Sequence, residues 1–280
     1  MTTASRAACV IGWPVAHSRS PLIHNYWLKH YGIAGEYRRE AVRTEQFASF
    51  VGALATRGYV GANVTVPHKE AALALSQPDE RARAVGAVNT LWLDGGVLRS
   101  TNTDVEGFLD NLDACAPHWD RDTRKALVLG AGGAARAVVY GLLSRGLEQI
   151  VVANRTAGRA EALRTSFGAR VQVADWAKVN SELADAALLV NTTTLGMQGQ
   201  AALALDLAAL RSHAIVADIV YVPVVTPLLA AARARGLLTA DGLGMLLHQA
   251  IRGFALWFGR TPQVTGELRA LAEADVETAI

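Results

Sequence analysis

The chain has 280 residues, 51% of them hydrophobic, which is enough for two domains of ordinary size or one large α/β domain. Lysine and arginine total 27 against 25 acidic residues, so there is no strong field that would recruit nucleic acid or an anionic membrane surface. Since the sequence shows neither an apolar run of transmembrane length nor a secretory leader, it predicts a globular cytoplasmic protein.

The chain opens with a β-α-β-α-β pattern. Strands are predicted over residues 7–11, 37–42 and 59–66, and a helix over 45–57. Between the first two strands, Ser20 precedes Pro21, the favoured first residue of a helix, so Ser20 is predicted to be its N-cap. Because hydroxyls and free backbone N–H groups meet at this turn, Ser18 and Ser20 are candidates for binding a carboxylate. A capping role alone fits Ser20 equally well.

The segment Asn63-Val-Thr-Val-Pro-His-Lys69 at the end of the third strand is a candidate site for chemistry. Asn63 and Thr65 are two apart on an extended chain, so their side chains point the same way. Pro67 stops the strand and Lys69 opens a helix. An ammonium beside neutral donors and acceptors suits binding a polyhydroxylated small molecule and moving a proton at one of its oxygens. Taken alone, the segment more often means a strand end followed by a solvated lysine.

The next segment contains two helices, a hairpin and the start of a further helix. Helices are predicted over residues 69–75 and 78–85, and hairpin strands over 90–93 and 97–101. After the hairpin, Thr103 or Asp104 is predicted to cap a helix that contains Phe108. Capping is the simplest interpretation of Asp104, and Asn89 before the hairpin also fits a plain turn residue.

A dinucleotide fingerprint follows in the middle of the chain. An apolar strand from Lys125 runs into Gly130-Ala-Gly-Gly-Ala-Ala135 and then into a helix. The glycines allow a tight turn and let a pyrophosphate approach the helix N-terminus. The next strand, over residues 149–153, ends in Asn154-Arg-Thr-Ala-Gly-Arg159, where enzymes that prefer NAD usually carry an acid. Since Arg155 and Arg159 are present and an acid is not, the sequence favours NADP over NAD, with two solvated arginines as the alternative.

The remainder continues as a doubly wound parallel sheet followed by a long helix. Strands are predicted over residues 171–174, 188–191 and 215–220, and helices over 227–235 and 241–258. Residues 191–197 and 218–221 lie at strand ends, the edge at which such sheets bind ligands. On the last helix, His248 and Gln249 lie on adjacent faces, so at most one is predicted to point into a cleft. The apolar stripe of this helix is predicted to comprise Leu246, Ala250, Phe254 and Trp257.

Together these motifs resemble the shikimate dehydrogenase family. Its members show Ser-x-Ser-Pro, Asn-Val-Thr-x-Pro-x-Lys, Gly-Ala-x-Asn-Thr, Asn-Thr-Asp, Gly-x-Gly-Gly-Ala, Asn-Arg-Thr and Asp-Gly-x-Gly-Met segments, and all occur here in that order. The resemblance spans Gly12 to Gln249, nearly the whole chain. Two departures are small: Val105 stands where many members have glycine, and Thr194-Leu195 replaces a serine-rich pair. Neither position is expected to carry chemistry.

The resemblance implies reversible reduction of 3-dehydroshikimate to shikimate by NADPH, a step in chorismate and aromatic amino acid biosynthesis. Lys69 would stabilise the charge that develops on the carbonyl oxygen and exchange its proton, and Asp104 would hold Lys69. No metal is expected, because the nicotinamide carries the hydride and because Cys9 and Cys115, expected to be buried thiols, belong to no metal-ligand motif. The substrate-binding residues implied are Ser18, Ser20, Asn63, Thr65, Lys69, Asn89, Asp104, Tyr221 and Gln249.

The resemblance also implies a division into two domains. Residues 1–106 and 242–280 would form an α/β substrate domain, and residues 107–241 a Rossmann-like NADP domain, with Gly242 as both hinge and cofactor contact. The cofactor-binding residues implied are Glu80, Gly130, Ala131, Gly132, Gly133, Ala134, Asn154, Arg155, Thr156, Arg159, Ile219 and Gly242.

Two alternatives stay open at this stage. A broader quinate and shikimate dehydrogenase would usually use NAD, so Arg155 and Arg159 count against it. A binding protein that senses NADP or a cyclohexene acid without turnover would not need the pair Lys69 and Asp104. In either case the expected ligand is a small molecule, and a homodimer is compatible with the sequence.

Overall fold

A computed structural model describes residues 6–278 of the chain. These residues form two compact units. The first unit comprises the residues up to Thr103 together with Gln249–Ala272, and the second comprises Asp104–His248 and the residues from Glu273. Within residues 6–278, no helix has the length and apolar character needed to cross a membrane.

The first unit is built on a six-stranded mixed sheet. Its strands are β1 (Arg6–Gly12), β2 (Gly35–Ala41), β3 (Tyr59–Val64), β4 (Gln77–Pro78), β5 (Thr90–Asp94) and β6 (Val97–Thr101). They lie in the order β2-β1-β3-β5-β6-β4, with β1 parallel to both its neighbours and β5 antiparallel to β3 and β6. The predicted β-α-β-α-β opening and the hairpin are confirmed. The two-residue strand β4 was not predicted, because it is too short for a periodic pattern.

The second unit is built on a six-stranded sheet that is parallel throughout. Its strands are β7 (Lys125–Leu129), β8 (Gln149–Ala153), β9 (Val171–Ala174), β10 (Leu188–Asn191), β11 (Ile215–Asp218) and β12 (Leu238–Ala240). They lie in the order β12-β11-β10-β7-β8-β9, which is the doubly wound arrangement that the sequence predicts. The order reverses at β7 and β10, so ligands of such a sheet are expected at the carboxyl ends of these strands.

Eleven α-helices occur in residues 6–278. They are α1 (Ser20–His30), α2 (Thr44–Gly52), α3 (Lys69–Ala74), α4 (Glu80–Val85), α5 (Asp104–Cys115), α6 (Gly133–Ser144), α7 (Ala157–Phe167), α8 (Val179–Glu182), α9 (Pro227–Ala234), α10 (Gly242–Phe258) and α11 (Gly266–Thr278). The prediction that Ser20 caps α1 was wrong, because the helix begins at Ser20 itself and Arg19 is the capping residue. Helix α2 ends at Gly52 because the chain then continues in tight turns, with Leu54 N bonded to Val51 O at 3.2 Å.

The core of the first unit depends on close packing between β3 and α10. Trp257 is buried and its indole N–H donates to the carbonyl of Leu91 at 2.8 Å. A Cβ on Gly61 would lie 2.1 Å from the Trp257 Nε1 and 2.3 Å from the Leu91 oxygen. Glycine is therefore required at this position of β3. The predicted stripe on α10 is confirmed for Ala250, Phe254 and Trp257, which are all buried.

Candidate active site

Asn63, near the carboxyl end of β3, lies at the centre of a buried hydrogen-bond network in the first unit. The Tyr37 hydroxyl donates to Asn63 Oδ1 at 2.6 Å. Asn63 Nδ2 donates to the backbone oxygen of Asn89 and to Thr90 Oγ1, both at 3.2 Å. Because a backbone carbonyl only accepts, these bonds fix which way the amide points. Asn63 Oδ1 therefore faces Tyr37, and Nδ2 faces Asn89 and Thr90.

Asn89 and Gln249 are brought together on the other side of this network. Asn89 Oδ1 accepts from the Thr103 backbone N–H at 2.7 Å, and its Nδ2 donates to Gln249 Oε1 at 3.4 Å. Thr103 Oγ1 also donates to Gln249 Oε1 at 3.3 Å. Gln249 is buried, whereas His248 is half-buried and bonds the Gly244 carbonyl, so Gln249 is the inward-facing residue of that pair.

Ser18 and Ser20 lie side by side before and at the start of α1. Ser18 Oγ donates to Ser20 Oγ at 3.3 Å and accepts from the Ser20 backbone N–H at 3.4 Å. Burial raises the pKa of the Tyr37 hydroxyl well above its usual value, with hydrogen bonds to Ser20 and Asn63 acting in the opposite direction. Tyr37 is therefore neutral and connects the serine pair to Asn63.

Lys69 is held by its backbone at the start of α3. Its carbonyl accepts from Val88 N at 2.9 Å. The preceding residue, His68, is buried, stacks on Phe47 at 4.3 Å between ring centroids, and bonds the Val42 carbonyl through Nε2 at 2.7 Å. The Lys69 side chain itself is half-buried. A fixed backbone and a partly solvated ammonium suit a group that exchanges protons.

Thr65 lies between the end of β3 and Lys69, and its position depends on a close approach to β1. Thr65 N donates to the Ile11 carbonyl at 2.9 Å, and Thr65 O accepts from His68 N at 3.0 Å. A Cβ on Gly12 would lie 2.4 Å from Thr65 Cγ2, so glycine is needed there. The first unit thus contains seven of the predicted substrate-binding residues, called the substrate cluster below: Ser18, Ser20, Asn63, Thr65, Lys69, Asn89 and Gln249. Their binding of substrate stays a prediction.

Asp104 and Tyr221 belong to the second unit. Asp104 is the first residue of α5, and Tyr221 follows β11. Both are half-buried. The pairing of Asp104 with Lys69 stays a prediction, as does the contribution of Tyr221 to the substrate cluster. Glu80, the first residue of α4, is exposed in the first unit.

The glycine fingerprint forms a tight turn between β7 and α6. Gly130 has a φ of +104°, and a Cβ there would lie 2.5 Å from Thr192 Oγ1. Gly132 is the N-cap of α6 and supplies no side-chain cap, so backbone N–H groups of the first turn are left for an external acceptor. Ala131, Gly132, Gly133 and Ala134 are exposed or half-buried. This geometry fits a pyrophosphate.

The turn after β8 carries Asn154 with three exposed residues, Arg155, Thr156 and Arg159. Asn154 Nδ2 donates to the Thr156 carbonyl at 2.8 Å, which shapes the turn. Arg155 also lines a cavity of about 270 Å³ together with apolar side chains, namely Trp176, Leu195, Leu203 and Leu205. No carboxylate stands at the end of β8, so the turn suits a phosphate better than a ribose hydroxyl.

Asp218 at the end of β11 is a buried carboxylate to which the sequence assigned no role. It accepts hydrogen bonds from Asn191, Val220 and Thr226. Burial raises the pKa of Asp218 to about 6, and the three hydrogen bonds act in the opposite direction. Ile219 and Gly242 are packed together beside it, since a Cβ on Gly242 would lie 2.2 Å from the Ile219 oxygen.

Tyr37, Thr90 and Thr103 were missed as site residues. Their hydrogen bonds to Asn63, Asn89 and Gln249 join parts of the chain that are far apart in sequence, so spacing alone gave no signal. Among residues 6–278, no group of three or more His, Cys, Asp or Glu side chains is placed to hold a metal ion. Cys9 is a buried thiol as predicted, whereas Cys115 is half-buried and its thiol donates to Asn111 Oδ1 at 3.7 Å.

Family models match three parts of the chain. Residues 10–91 match the shikimate dehydrogenase substrate binding domain, residues 116–219 match shikimate/quinate 5-dehydrogenase, and residues 242–266 match the shikimate 5'-dehydrogenase C-terminal domain. The chain is 65% identical over 276 residues to a shikimate dehydrogenase (NADP(+)) of Rhodopseudomonas palustris strain TIE-1, covering 99% of each chain. The chain belongs to the shikimate dehydrogenase family. A Nitrobacter hamburgensis member is 64% identical over 274 residues, covering 98% of this chain and 96% of that protein.

Solved structures of shikimate dehydrogenase relatives share the fold. Shikimate 5-dehydrogenase from Thermus thermophilus, in complex with NADP(H) and shikimate, aligns with a TM-score of 0.84 at 37% identity, covering 99% of this chain and 100% of that one. Quinate dehydrogenase from Corynebacterium glutamicum, in complex with NAD, aligns with a TM-score of 0.89 at 33% identity, covering 96% and 99%. The family thus includes solved members with different substrates and cofactors.

Proposed function

We propose that this protein is an NADP-dependent shikimate dehydrogenase that interconverts 3-dehydroshikimate and shikimate. The observation that carries the proposal is identity of 64–66% over the full length to relatives named shikimate dehydrogenase (NADP(+)). The substrate cluster supports it, because hydroxyls, amides and one ammonium suit a polyhydroxylated acid. The class of enzyme is an oxidoreductase acting on a CH–OH group.

The residues present fit NADP as the cofactor. Gly130 and Gly132 leave room for a pyrophosphate at the start of α6, and a Cβ on Gly130 would collide with Thr192. Arg155 and Arg159 would bind the 2′-phosphate, with Asn154 and Thr156 shaping the turn. When bound, the nicotinamide accepts hydride in the oxidation direction and supplies it in the reduction direction.

Lys69 is the proposed acid–base residue. In the oxidation direction, the C3 hydroxyl of shikimate transfers its proton to the Lys69 amine as the C3 hydrogen leaves as hydride. In the reduction direction, the Lys69 ammonium stabilises the charge that develops on the carbonyl oxygen and returns that proton. Asp104 is proposed to hold the lysine and to bond a ring hydroxyl.

The other substrate contacts follow from the donor and acceptor types in the cluster. Ser18 and Ser20 are proposed to donate to the substrate carboxylate, together with Tyr221. Thr65, Asn89 and Gln249 are proposed to read the ring hydroxyls. Asn63 is proposed to lie beside these contacts, and its amide protons already bond Asn89 and Thr90.

A spectrophotometric assay tests this function. Purified protein is offered shikimate or quinate, each with NADP or NAD, and absorbance is followed at the nicotinamide band. Rapid reduction of NADP is expected with shikimate, and little reduction of the cofactor with the other three pairs. Similar rates with quinate and NAD would favour a broader enzyme, as in the similar quinate dehydrogenase that binds NAD. If the protein binds NADP but turns over none of the four pairs, it would be a sensor of NADP or a cyclohexene acid.

A further inference from the structure

The carboxylate of Asp218 joins three segments at one edge of the parallel sheet. Asn191 Nδ2, at the end of β10, donates to Asp218 Oδ1 at 2.9 Å. The Val220 backbone N–H, two residues beyond Asp218, donates to the same oxygen at 3.0 Å. Thr226 Oγ1, at the N-cap of α9, donates to Oδ2 at 2.7 Å. One side chain therefore fixes the ends of two neighbouring strands and the start of a helix.

Asn191 extends this connection to the turn beside the glycine fingerprint. Its Oδ1 accepts from the Thr193 N–H at 3.0 Å and from Thr193 Oγ1 at 2.7 Å, and its Nδ2 also bonds the Leu195 carbonyl at 3.1 Å. Thr192 lies between Asn191 and Thr193 in the chain. Its Oγ1 donates to the carbonyl of Leu129, the residue before Gly130, at 2.7 Å. Asp218 is thus linked through Asn191 to the turn that packs on the proposed pyrophosphate site.

The segment after Asp218 is held on its other side by α10. Ile219 O and Val220 O would lie 2.2 and 2.6 Å from a Cβ on Gly242. Ile219 N donates to the Asn191 carbonyl at 3.1 Å. The short loop that carries Ile219 and Tyr221 therefore has little freedom while the Asp218 bonds are made.

Asp218 is an anion in surroundings that supply no counter-charge among the described residues. The groups that face it are the amide of Asn191 from β10 and the hydroxyl of Thr226 from α9. Asp218 and Asp241, which follows β12, line one small void, so the other charged residue that lines it is acidic as well. Asp241 Oδ1 accepts from Gly244 N at 2.9 Å. Burying an unpaired carboxylate is costly, so a structural role alone would be served as well by a neutral acceptor.

We propose that Asp218 is a positioning residue whose charged carboxylate fixes the strand-end loops that carry Ile219 and Tyr221 in their ligand-binding conformation. The charge makes each of its three hydrogen bonds stronger than an amide would. This inference rests on the proposed function, in which Tyr221 binds the substrate carboxylate, and on Ile219 being one of the cofactor-binding residues that the family resemblance implies. Burial raises the pKa of Asp218 to about 6, so the protein is expected to lose this fixation in mild acid.

Asp218→Asn tests the proposal, with Asp175→Asn as the matched control. Asp175 also follows a strand of this sheet and accepts from a backbone N–H two residues on, at 3.0 Å from Ala177, but it is exposed. For Asp218→Asn we expect kcat/KM for shikimate to fall about tenfold at a pH of about 7.5, mainly through KM, and NADP binding to weaken. The control is expected to match the wild type.

The pH profile separates positioning from a purely structural role. In the wild type, kcat/KM is expected to fall as pH drops below about 6, whereas Asp218→Asn is expected to lack this component because it cannot titrate. Thr226→Val removes the donor to Asp218 Oδ2 and should raise KM for shikimate, as Asp218→Asn does. Thr226→Ser keeps the hydroxyl and should have the wild-type KM. Wild-type kinetics and an unchanged acid limb in Asp218→Asn would overturn the inference. Failure of the proposed function would differ, since the wild type itself would then not turn over shikimate.

Discussion

Lys69 shows how single residues in this protein combine a fixed backbone with a responsive side chain. Its carbonyl bonds Val88, and His68 before it is anchored to Val42 and stacked on Phe47. The Lys69 side chain is half-buried. The proposed proton transfer would therefore take place at a residue whose backbone is fixed by its neighbours.

Substituting Lys69 tests the proposed proton transfer. Lys69→Ala is expected to lower kcat about a hundredfold or more, because the group that exchanges the proton is removed. NADP binding should be retained, measured by fluorescence titration. Lys29→Ala, which removes an exposed lysine from α1, is the control and should turn over normally. An unchanged kcat in Lys69→Ala would remove this residue from the mechanism.

The double variant Arg155→Ala with Arg159→Ala tests how the cofactor is selected. We expect KM for NADP to rise roughly tenfold to a hundredfold and KM for NAD to change little, since the lost bonds are to the 2′-phosphate. Arg164→Ala serves as control, because that arginine pairs with Glu161 on the same helix at 2.7 Å. Equal weakening for both cofactors would mean that the arginines do not read the phosphate.

At the scale of elements, strands and helices with a full period were predictable from the sequence. Three strands of the parallel sheet, β8, β9 and β10, have the predicted bounds. Strands β4 and β12, of two and three residues, were not predicted, because they depend on pairing with neighbours. The N-cap of α1 was predicted at Ser20 and lies at Arg19, because a shift of one residue in the helix start changes which residue is the cap.

The same limit applies to the site. Local motifs gave Ser18, Asn63, Thr65 and Asn89 as candidate site residues near strand or helix ends, and their roles stay predictions. They did not predict Tyr37, which reaches Asn63 from 26 residues away. They also gave Asp218 no role, because its three donors come from β10, its own loop and α9, and only the folded sheet brings these together.

Gly61→Ala tests the packing of β3 against α10. The added Cβ would overlap both the Trp257 indole and the Leu91 carbonyl, so we expect a loss of about 1–3 kcal/mol in the free energy of unfolding. Urea unfolding followed by tryptophan fluorescence measures it. Gly52→Ala is the control, since a Cβ there meets nothing within 4 Å, and alanine favours helix. Equal midpoints for the two variants would show that this contact is not tight.

At the scale of the whole molecule, buried titratable groups set how stability depends on pH. His24 is fully buried and stacks on Tyr37 at 4.2 Å between ring centroids. Burial lowers the pKa of His24 to about 3 from 6.5. Its contribution to stability is therefore complete above pH 6.5 and is lost as pH falls toward 3, because the unfolded chain takes up the proton first. Asp218, with a raised pKa, has the opposite effect: its protonation in the native state adds stability as pH falls from about 6 to about 4.

His24→Phe tests this acid sensitivity. Phenylalanine keeps an aromatic ring in the stack but does not titrate, so the variant should lose less stability than the wild type between about pH 7 and pH 4, by about 3 kcal/mol. Urea unfolding at both pH values measures the difference, and the contribution of Asp218 cancels because both proteins carry it. Identical pH dependence in the two proteins would contradict a neutral His24 in the native state.

The most direct test of the central claim is an isotope-transfer measurement. Purified protein is incubated with 3-dehydroshikimate and NADPH carrying deuterium at the transferable C4 position, and the product is analysed by mass spectrometry. The account predicts shikimate with one deuterium at C3 and NADP as the second product, because hydride passes directly between the two ligands. Shikimate without deuterium, or no shikimate while NADPH is bound, would contradict the account.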